Sequence, residues 1–295
     1  MSTVGSVGTV GPPDAAVGRT PAPAPTPGAA TTSGIATEAH INRAPLDPFA
    51  PAGPSGATAV ATALAVVVPM YREARRIATT LAIVDRSCLN RPGVRLVLVD
   101  DGSDDDTVGA VFRALPDTAL APPLVIQLTR NQGKGAAVRA GMLAADASVV
   151  AFVDADLSLE PAVLDAALEL MRTTSADVVV GHRIVDTRHQ PRLRRMSSLV
   201  FRTLVAWLAP TGVSDTQCAL KLFTRAAAQE LFEPLTTTGF AFDVEILLRA
   251  RAAGMNVQQL PVAWTHQAGS TVNPLLEPVR MLRDVVLARR AVRRR

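Results

Sequence analysis

The chain has 295 residues, of which 48% are hydrophobic, 19% charged and 4% aromatic, and its formal net charge is +4. This apolar content suffices for one large domain or two small ones, and it excludes a chain that is disordered throughout. The two cysteines, Cys88 and Cys218, lie far apart in the sequence. Two lone thiols predict a reducing compartment and give no zinc-binding pattern.

Residues 1–58 form the first distinct segment, which is rich in Pro, Ala, Gly and Thr. The segment contains ten prolines, one aromatic residue and five charged residues. Such a composition buries too little apolar area to offset the entropy lost on ordering, so it predicts a disordered leader over 1–58. The start of the chain also lacks the basic and apolar stretches of a secretory signal.

From residue 62 to about residue 185, short β-branched runs alternate with helical segments. The predicted strands are 65–69, 95–99, 124–128, 149–153 and 178–181, and the predicted helices are 73–84, 107–115, 135–145 and 161–171. This alternation predicts an α/β fold with a mostly parallel sheet and helices on both faces. In such sheets ligands bind beyond the carboxyl ends of the strands.

Acidic motifs follow the second and fourth of these strands. Asp154 and Asp156 lie two residues apart, a spacing that projects both carboxylates to one side of extended backbone. Both can therefore approach one Mg²⁺ or Mn²⁺ ion, although an isolated pair of this kind is more often a solvated loop. Asp100 and Asp101 follow the second strand. Turn and helix-cap chemistry does not require Asp101, which makes it a candidate ligand for a ribose hydroxyl or a base N–H.

Residues 130–135 (RNQGKG) follow the third strand and open a helix. Glycines let the backbone approach a ligand, Lys134 adds a positive charge, and a helix N-terminus favours anions. The segment lacks the GxxxxGK[ST] pattern of a Walker loop. No glycine-rich loop follows the first strand, which disfavours a nucleotidyltransferase.

Four motifs in this order resemble the family 2 glycosyltransferases of the GT-A (Rossmann-like) fold. They are 66–73 (VVVPMYRE), 99–103 (VDDGS), 131–135 (NQGKG) and 154–156 (DAD). The resemblance covers about residues 64–185. It implies a nucleotide-sugar donor and a divalent cofactor, Mg²⁺ or Mn²⁺.

The downstream sequence resembles the dolichyl-phosphate β-glucosyltransferase group of polyprenyl-phosphate glycosyltransferases. The similar segments are 213–223 (VSDTQCALKLF), 240–245 (FAFDVE), 262–264 (VAW) and 269–270 (GS). Departures are Ala219 where the group often has Gly, Thr271 where it often has Lys, and 157–159 where it often has Thr or Gln. This resemblance implies inverting transfer of glucose from UDP-glucose to a polyprenyl phosphate.

The resemblance also implies roles for individual residues. The nucleotide-sugar site would contain Pro69, Tyr71, Glu73, Asp100, Asp101, Lys134 and Asp154. Asp154 and Asp156 would hold the metal. An ionised acceptor phosphate needs no strong general base, whereas a hydroxyl acceptor does, and Asp243 is the candidate. Glu245 is the second candidate. On a helix these two carboxylates face differently, and Glu245 is expected to be solvated.

Four arginines, Arg183, Arg194, Arg195 and Arg202, precede or enter the apolar segment 199–209. The last three share a helical face, with the leucines and Trp207 largely elsewhere. This pattern favours an interfacial amphipathic helix whose arginines bind the acceptor phosphate, with Arg183 and Arg195 acting in catalysis. An ordinary surface helix packed on the sheet would show the same amphipathicity.

Residues 271–295 predict a basic amphipathic helix that follows a glycosyltransferase domain over 62–270. Its apolar stripe would be Leu275, Val279, Leu282 and Val286, and 280–295 contain seven arginines. Basic residues near an anionic membrane contribute about 1 kcal/mol each, and the lack of interleaved aromatics disfavours nucleic acid. No apolar run approaches the roughly 20 residues that span a bilayer. We therefore expect a cytoplasmic protein, peripheral at the inner face of the membrane.

Three functions remain open from the sequence. The first is the polyprenyl-phosphate glycosyltransferase, and the second is a related transferase with a hydroxyl acceptor, such as a polysaccharide or a small molecule. The third is a catalytically silent nucleotide-sugar-binding protein docked to membranes. The intact Asp154 and Asp156 pair argues against the third, and the arginines before the apolar segment favour the first. Protein partners are not indicated.

Overall fold

A computed structural model describes residues 39–43, 63–156, 160–184, 208–263 and 277–293. The strands are β1 (Ala39–Arg43), β2 (Leu64–Met70), β3 (Val94–Asp100), β4 (Leu124–Leu128), β5 (Val149–Phe152), β6 (Val178–Ile184), β7 (Lys221–Thr224) and β8 (Val257–Ala263). The helices are α1 (Ile77–Asp85), α2 (Thr107–Ala114), α3 (Lys134–Ala144), α4 (Val163–Thr174), α5 (Arg225–Phe232), α6 (Phe242–Ala252) and α7 (Glu277–Arg293).

All eight strands join one sheet in the order β1-β4-β3-β2-β5-β7-β6-β8. Strands β2 to β5 pair in parallel, as do β6 and β8, whereas β7 runs antiparallel between β5 and β6. The predicted mostly parallel α/β sheet is therefore confirmed. The carboxyl ends of β2, β3, β5 and β6 lie on the same edge of the sheet.

Strand β2 shows why helices cover both faces. Its residues are almost all apolar, and they alternate between two separate cores. Leu64, Val66 and Val68 pack with residues of α1, α2 and α4 on one face. Ala65 and Val67 pack with residues of α3, α5 and α6 on the other. A strand buried on both faces reads as a continuous apolar run, which is the pattern that the sequence shows at 64–68.

Strand β1 corrects the prediction of disorder for part of the leader. Ala39–Arg43 pairs antiparallel with β4, with Ile41 opposite Ile126. The composition of 1–58 hides this strand, because five residues with backbone pairing to a sheet edge add almost nothing to a 58-residue average. The rest of the predicted leader lies outside the described residues.

Helix α7 packs with its apolar side against the domain. Val285 and Ala288 are buried, and Leu282 and Val292 pack beside Val285 against residues of α6. The buried line thus runs through Val285 rather than through the predicted Val286, because α6 covers that side of the helix. Arg283, Arg290 and Arg293 are exposed. None of the described helices is long and apolar enough to cross a membrane.

Candidate active site

The loops after β2 and β3 are bound to each other at the carboxyl edge of the sheet. The Arg72 amide donates to Ser103 Oγ at 2.9 Å, and the Glu73 amide donates to Thr107 Oγ1 at 2.8 Å. Arg72 has a positive φ of 57°, a strained conformation for a residue with a side chain. These contacts explain why α1 begins at Ile77 and not at the predicted residue 73.

Three residues expected in the nucleotide site lie here, Pro69 near the end of β2 and Tyr71 and Glu73 in the loop that follows. Pro69 and Tyr71 are half-buried. The Arg72 guanidinium lies 5.1 Å from the centre of the Tyr71 ring. Glu73 is buried, and its carboxylate forms an ion pair with Arg76 at 2.7 Å. Its contact with a nucleotide stays a prediction.

The carboxylates of Asp100 and Asp101 are both used inside the protein. Asp100 is fully buried and accepts hydrogen bonds from the amide and hydroxyl of Ser103. Asp101 is 3% exposed and accepts from the amides of Gln132 at 2.8 Å and Gly133 at 2.9 Å. Burial raises the pKa of Asp101, while these two amides oppose the rise. Asp101 therefore holds the loop before α3, a role that the sequence analysis did not predict.

The same loop is held from its other side by residues 236–239. The Gly135 amide donates to the Thr238 carbonyl oxygen at 2.7 Å. A Cβ on Gly135 would lie 2.6 Å from the Thr237 carbonyl oxygen, and one on Gly133 would lie 2.5 Å from that of Thr238. Gly133 also has a φ of +102°. Only glycine fits both positions, so the Gly-Lys-Gly pattern reflects close backbone packing.

Lys134 brings the loop and the acidic motif together. Its Nζ lies 2.5 Å from Asp154 Oδ1, directly after β5. Burial lowers the pKa of Lys134, but Asp154, Asp243 and Asp156 raise it by more, so the lysine is held in its charged form. Asp154 is half-buried and Asp156 is exposed. The prediction that Lys134 and the acidic pair lie at one site is consistent with this geometry.

Asp154 and Asp156 supply oxygen ligands of the type that Mg²⁺ or Mn²⁺ prefers. Among the described residues no group of three or more His, Cys, Asp or Glu could hold a metal ion. The two carboxylates therefore fit an ion that takes its other ligands from a bound diphosphate and water, as Mg²⁺ usually does. Residues 157–159, where the sequence departs from the group's usual Thr or Gln, lie outside the described residues.

A buried lysine that the sequence analysis gave no role, Lys221, lies beside this site. It is opposite Phe152 in the β5–β7 pair and is fully buried. Its Nζ lies 2.7 Å from Asp243 Oδ1 and donates to the Cys218 carbonyl oxygen, also at 2.7 Å. A lysine inside an apolar strand was the available signal, because a buried lysine requires a partner.

Asp243, the candidate base, lies in the first turn of α6 and is 6% exposed. The Lys221 contact is an ion pair by distance but lacks the alignment of a hydrogen bond, so Asp243 Oδ1 has no aligned donor among the described residues. Burial raises the pKa of Asp243, and the charges of Lys221 and Lys134 oppose the rise. Asp243 thus faces two lysines at the edge of the site.

The expectation that Glu245 is solvated was wrong. Glu245 is fully buried, and it accepts hydrogen bonds from the amides of Thr236 and Thr237 and from the Arg249 guanidinium. These partners lie in the preceding loop and one helical turn ahead. As helical spacing predicted, Glu245 and Asp243 face different surroundings.

Arg183 is the one predicted acceptor arginine that the structure describes. Its guanidinium forms a two-pronged ion pair with Asp215, at 2.7 and 2.9 Å. Burial lowers the pKa of Arg183, but Asp215 raises it by more, and the charge of Asp154 adds to the rise. Arg194, Arg195 and Arg202 lie outside the described residues.

The profile of "Glycosyl transferase family 2" matches residues 65–232, more than half of the chain. The chain therefore belongs to this family and is a glycosyltransferase. Within the family it groups with proteins named dolichyl-phosphate beta-glucosyltransferase. It is 32% identical to the Saccharomyces cerevisiae enzyme, over 77% of this chain and 74% of that protein. It is 30% identical to the Homo sapiens enzyme over the same shares of the two chains.

The fold is of the GT-A type, as predicted. A solved structure of Mycobacterium tuberculosis glucosyl-3-phosphoglycerate synthase, in complex with Mn²⁺, UDP and glucosyl-3-phosphoglycerate, superposes with a TM-score of 0.56. The superposed region covers 77% of this chain and 78% of the synthase chain, with 21% sequence identity. At this identity the likeness establishes the common fold.

Proposed function

We propose that this glycosyltransferase transfers glucose from UDP-glucose, with inversion, to a polyprenyl phosphate at the cytoplasmic face of a membrane. The observation that carries the proposal is the pairing of Lys134 with Asp154, beside Asp156, in a chain 32% identical to a dolichyl-phosphate beta-glucosyltransferase. The pairing gives one positive and two negative groups at the edge where α/β sheets bind ligands.

In the proposed reaction, an oxygen of the acceptor phosphate bonds to the sugar C1 while the bond from C1 to the UDP diphosphate breaks. A divalent ion at Asp154 and Asp156 would supply charge compensation for the leaving diphosphate. Lys134 offers its own positive charge to the same diphosphate. In the free protein Lys134 is paired with Asp154, so when a donor binds, the lysine exchanges Asp154 for the diphosphate as its partner.

Arg183 is proposed to help bind the acceptor phosphate. Asp215 fixes the plane of its guanidinium through two hydrogen bonds, which pre-organises the side chain at the carboxyl end of β6. An arginine held this way loses little freedom when it binds an anion. Arg194, Arg195 and Arg202 are proposed to complete the phosphate site. The exposed arginines of α7 are proposed to bind an anionic membrane surface, while the apolar side of that helix stays packed on the domain.

The test offers purified protein in detergent a panel of labelled sugar nucleotides with Mn²⁺ and one of two acceptors. One acceptor is a polyprenyl phosphate, and the other is the matching polyprenol, which has only a hydroxyl. We expect label from UDP-glucose in the lipid extract with the phosphate acceptor alone. Transfer to the polyprenol, or to a soluble hydroxyl acceptor, would replace the proposal with a hydroxyl-directed transferase in which Asp243 is the base.

A further inference from the structure

Glu245 is fully buried, and it binds the segment against which the Lys134 loop packs. Its two carboxylate oxygens accept from the Thr236 and Thr237 amides at 3.1 and 2.8 Å. Both threonine hydroxyls donate to it as well. One carboxylate thus satisfies four donors of a two-residue segment, which fixes the path of that segment.

Arg249 keeps this carboxylate in place. Its Nε and Nη2 donate to Glu245 Oε1 at 2.9 and 2.6 Å, and Nη2 also donates to the Pro234 carbonyl oxygen at 2.9 Å. The guanidinium therefore links the start of the 234–239 segment to the same carboxylate. A buried ion pair of this kind contributes more to geometry than to net stability.

The segment held by Glu245 is the one on which the Lys134 loop is built. The Thr238 carbonyl oxygen accepts from the Gly135 amide at 2.7 Å and from the Ala136 amide at 3.3 Å. Gly133 and Gly135 allow the two backbones to touch, since a Cβ at either position would lie within 2.6 Å of a carbonyl oxygen. Lys134 lies between these two contacts, so a shift of residues 236–238 displaces its Nζ from Asp154.

We infer that Glu245 is a positioning residue that acts through residues 236–238 to hold Lys134 at Asp154. The inference rests on the proposed function only in assigning Lys134 a task on the donor diphosphate. The arrangement itself is a property of the free protein: Asp101 holds the loop from one side, and Glu245 holds it from the other.

The first test is hydrogen exchange in the free protein. We compare wild type with Thr237→Val, which removes one hydroxyl that Glu245 accepts and leaves the Glu245–Arg249 pair intact. We add Glu245→Gln and the double variant Glu245→Met/Arg249→Met, which removes both buried charges together. Faster exchange of amides 133–137 is expected in all three. Wild-type exchange there in the double variant would overturn the inference.

The second test separates positioning from mere stability. Removing both members of a buried ion pair can leave a fold as stable as before. Even if the double variant melts at the wild-type temperature, its kcat should be about 10- to 100-fold lower, which is the effect of a misplaced group. Its KM for the acceptor should change little. Full recovery of kcat together with stability would show a structural role only. Glu169→Gln, which removes an exposed carboxylate–arginine pair of α4, is the matched control.

A double-mutant cycle with Lys134→Met completes the design. If Glu245 acts through Lys134, adding Thr237→Val or Glu245→Gln to Lys134→Met should change kcat little further, since coupled residues are not additive. Independent, additive losses would overturn the inference. The same cycle can be measured without any transfer, with the affinities for Mn²⁺ and UDP from calorimetry in place of kcat. Absence of transfer by wild type would count against the proposed function, whereas the exchange data would still decide this inference.

Discussion

Two pairs of aspartates lie at the carboxyl ends of β3 and β5, the strands on either side of β2, and their surroundings differ. After β3, Asp100 and Asp101 are at most 3% exposed and accept hydrogen bonds from nearby backbone amides. After β5, Asp154 is half-buried against a lysine and Asp156 is exposed. Two acidic motifs that look alike in sequence therefore differ in role. One holds the loop that carries Lys134, and the other is the pair that we propose to hold the metal.

The largest expected effect comes from the exposed pair. Asp154→Asn or Asp156→Asn should lower transfer by about 100- to 1,000-fold, because each removes a charge at the position where the diphosphate leaves. The free energy of unfolding should change by less than about 0.5 kcal/mol in Asp156→Asn, since this exposed side chain carries no core packing. Asp154→Asn also removes the charged partner of the partly buried Lys134, so it should cost more, about 1–3 kcal/mol. Initial rates and urea melts check both statements. Near-normal turnover in both variants would remove the metal assignment.

A further carboxylate extends the comparison, because Asp215 is buried and forms an ion pair with Arg183. Asp215→Asn should cost about 2–3 kcal/mol of the free energy of unfolding at neutral pH, since it leaves a partly buried guanidinium without its charged partner. Burial raises the pKa of Asp215, but Arg183 lowers it by more, so it lies below its ordinary value of 3.8.

The sign of this shift sets the pH dependence. A carboxylate with a lowered folded pKa stabilises the fold above its unfolded pKa, and that stability is lost as the pH falls through the folded pKa. The difference between wild type and Asp215→Asn should therefore be full near neutral pH and shrink below about pH 3.8. Urea melts at several pH values measure it. A difference that grew on acidification would contradict the assignment.

The sequence predicted which strand ends carry the acidic motifs, but it predicted the contacts of individual side chains less well. Apolar runs such as 64–68 identify the strands, because a strand that is buried on both faces is apolar at nearly every position. The acidic residues that follow such strands then lie at the carboxyl edge of the sheet. It did not separate Asp101 from Asp154, because the partners of Asp101 are backbone amides some 31 residues away along the chain. The burial of Glu245 escaped it because a helical carboxylate gives no sign that the amides of residues 236 and 237 will donate to it. Lys221 lies within an apolar run, a signal that was available but not used.

The buried pair is expected to show the next effect, on stability. Asp101→Asn keeps the size of the side chain but presents an amide N–H₂ to one of two backbone amides that now donate to a carboxylate oxygen. The loss should be about 1–2 kcal/mol in the free energy of unfolding, the cost of one unsatisfied buried donor. Transfer should fall as well, because Lys134 loses one side of its support. Asp117→Asn, at an exposed position after α2, is the control.

The smallest effect tests whether Lys134 competes with a cation for Asp154. Its Nζ lies 2.5 Å from Asp154 Oδ1, in direct contact with an oxygen that a divalent ion would need. Metal binding without nucleotide must therefore displace the lysine, whereas a bound diphosphate gives the lysine a new partner. Lys134→Met should raise the affinity for Mn²⁺ alone about three- to tenfold, which corresponds to losing one partly exposed competing ion pair.

The same substitution should have the opposite effect once nucleotide is present. Lys134→Met removes the positive charge that the lysine would place beside the diphosphate. The affinity for UDP in the presence of Mn²⁺ should therefore fall, while the affinity for Mn²⁺ alone rises. Calorimetry with the metal alone, and then with metal and UDP together, measures the two changes on one preparation. A variant that bound both more weakly would mean that Lys134 supports Asp154 instead of competing at it. Lys134 and the exposed pair would then form one preassembled unit, in the way that Asp101 and its loop already do.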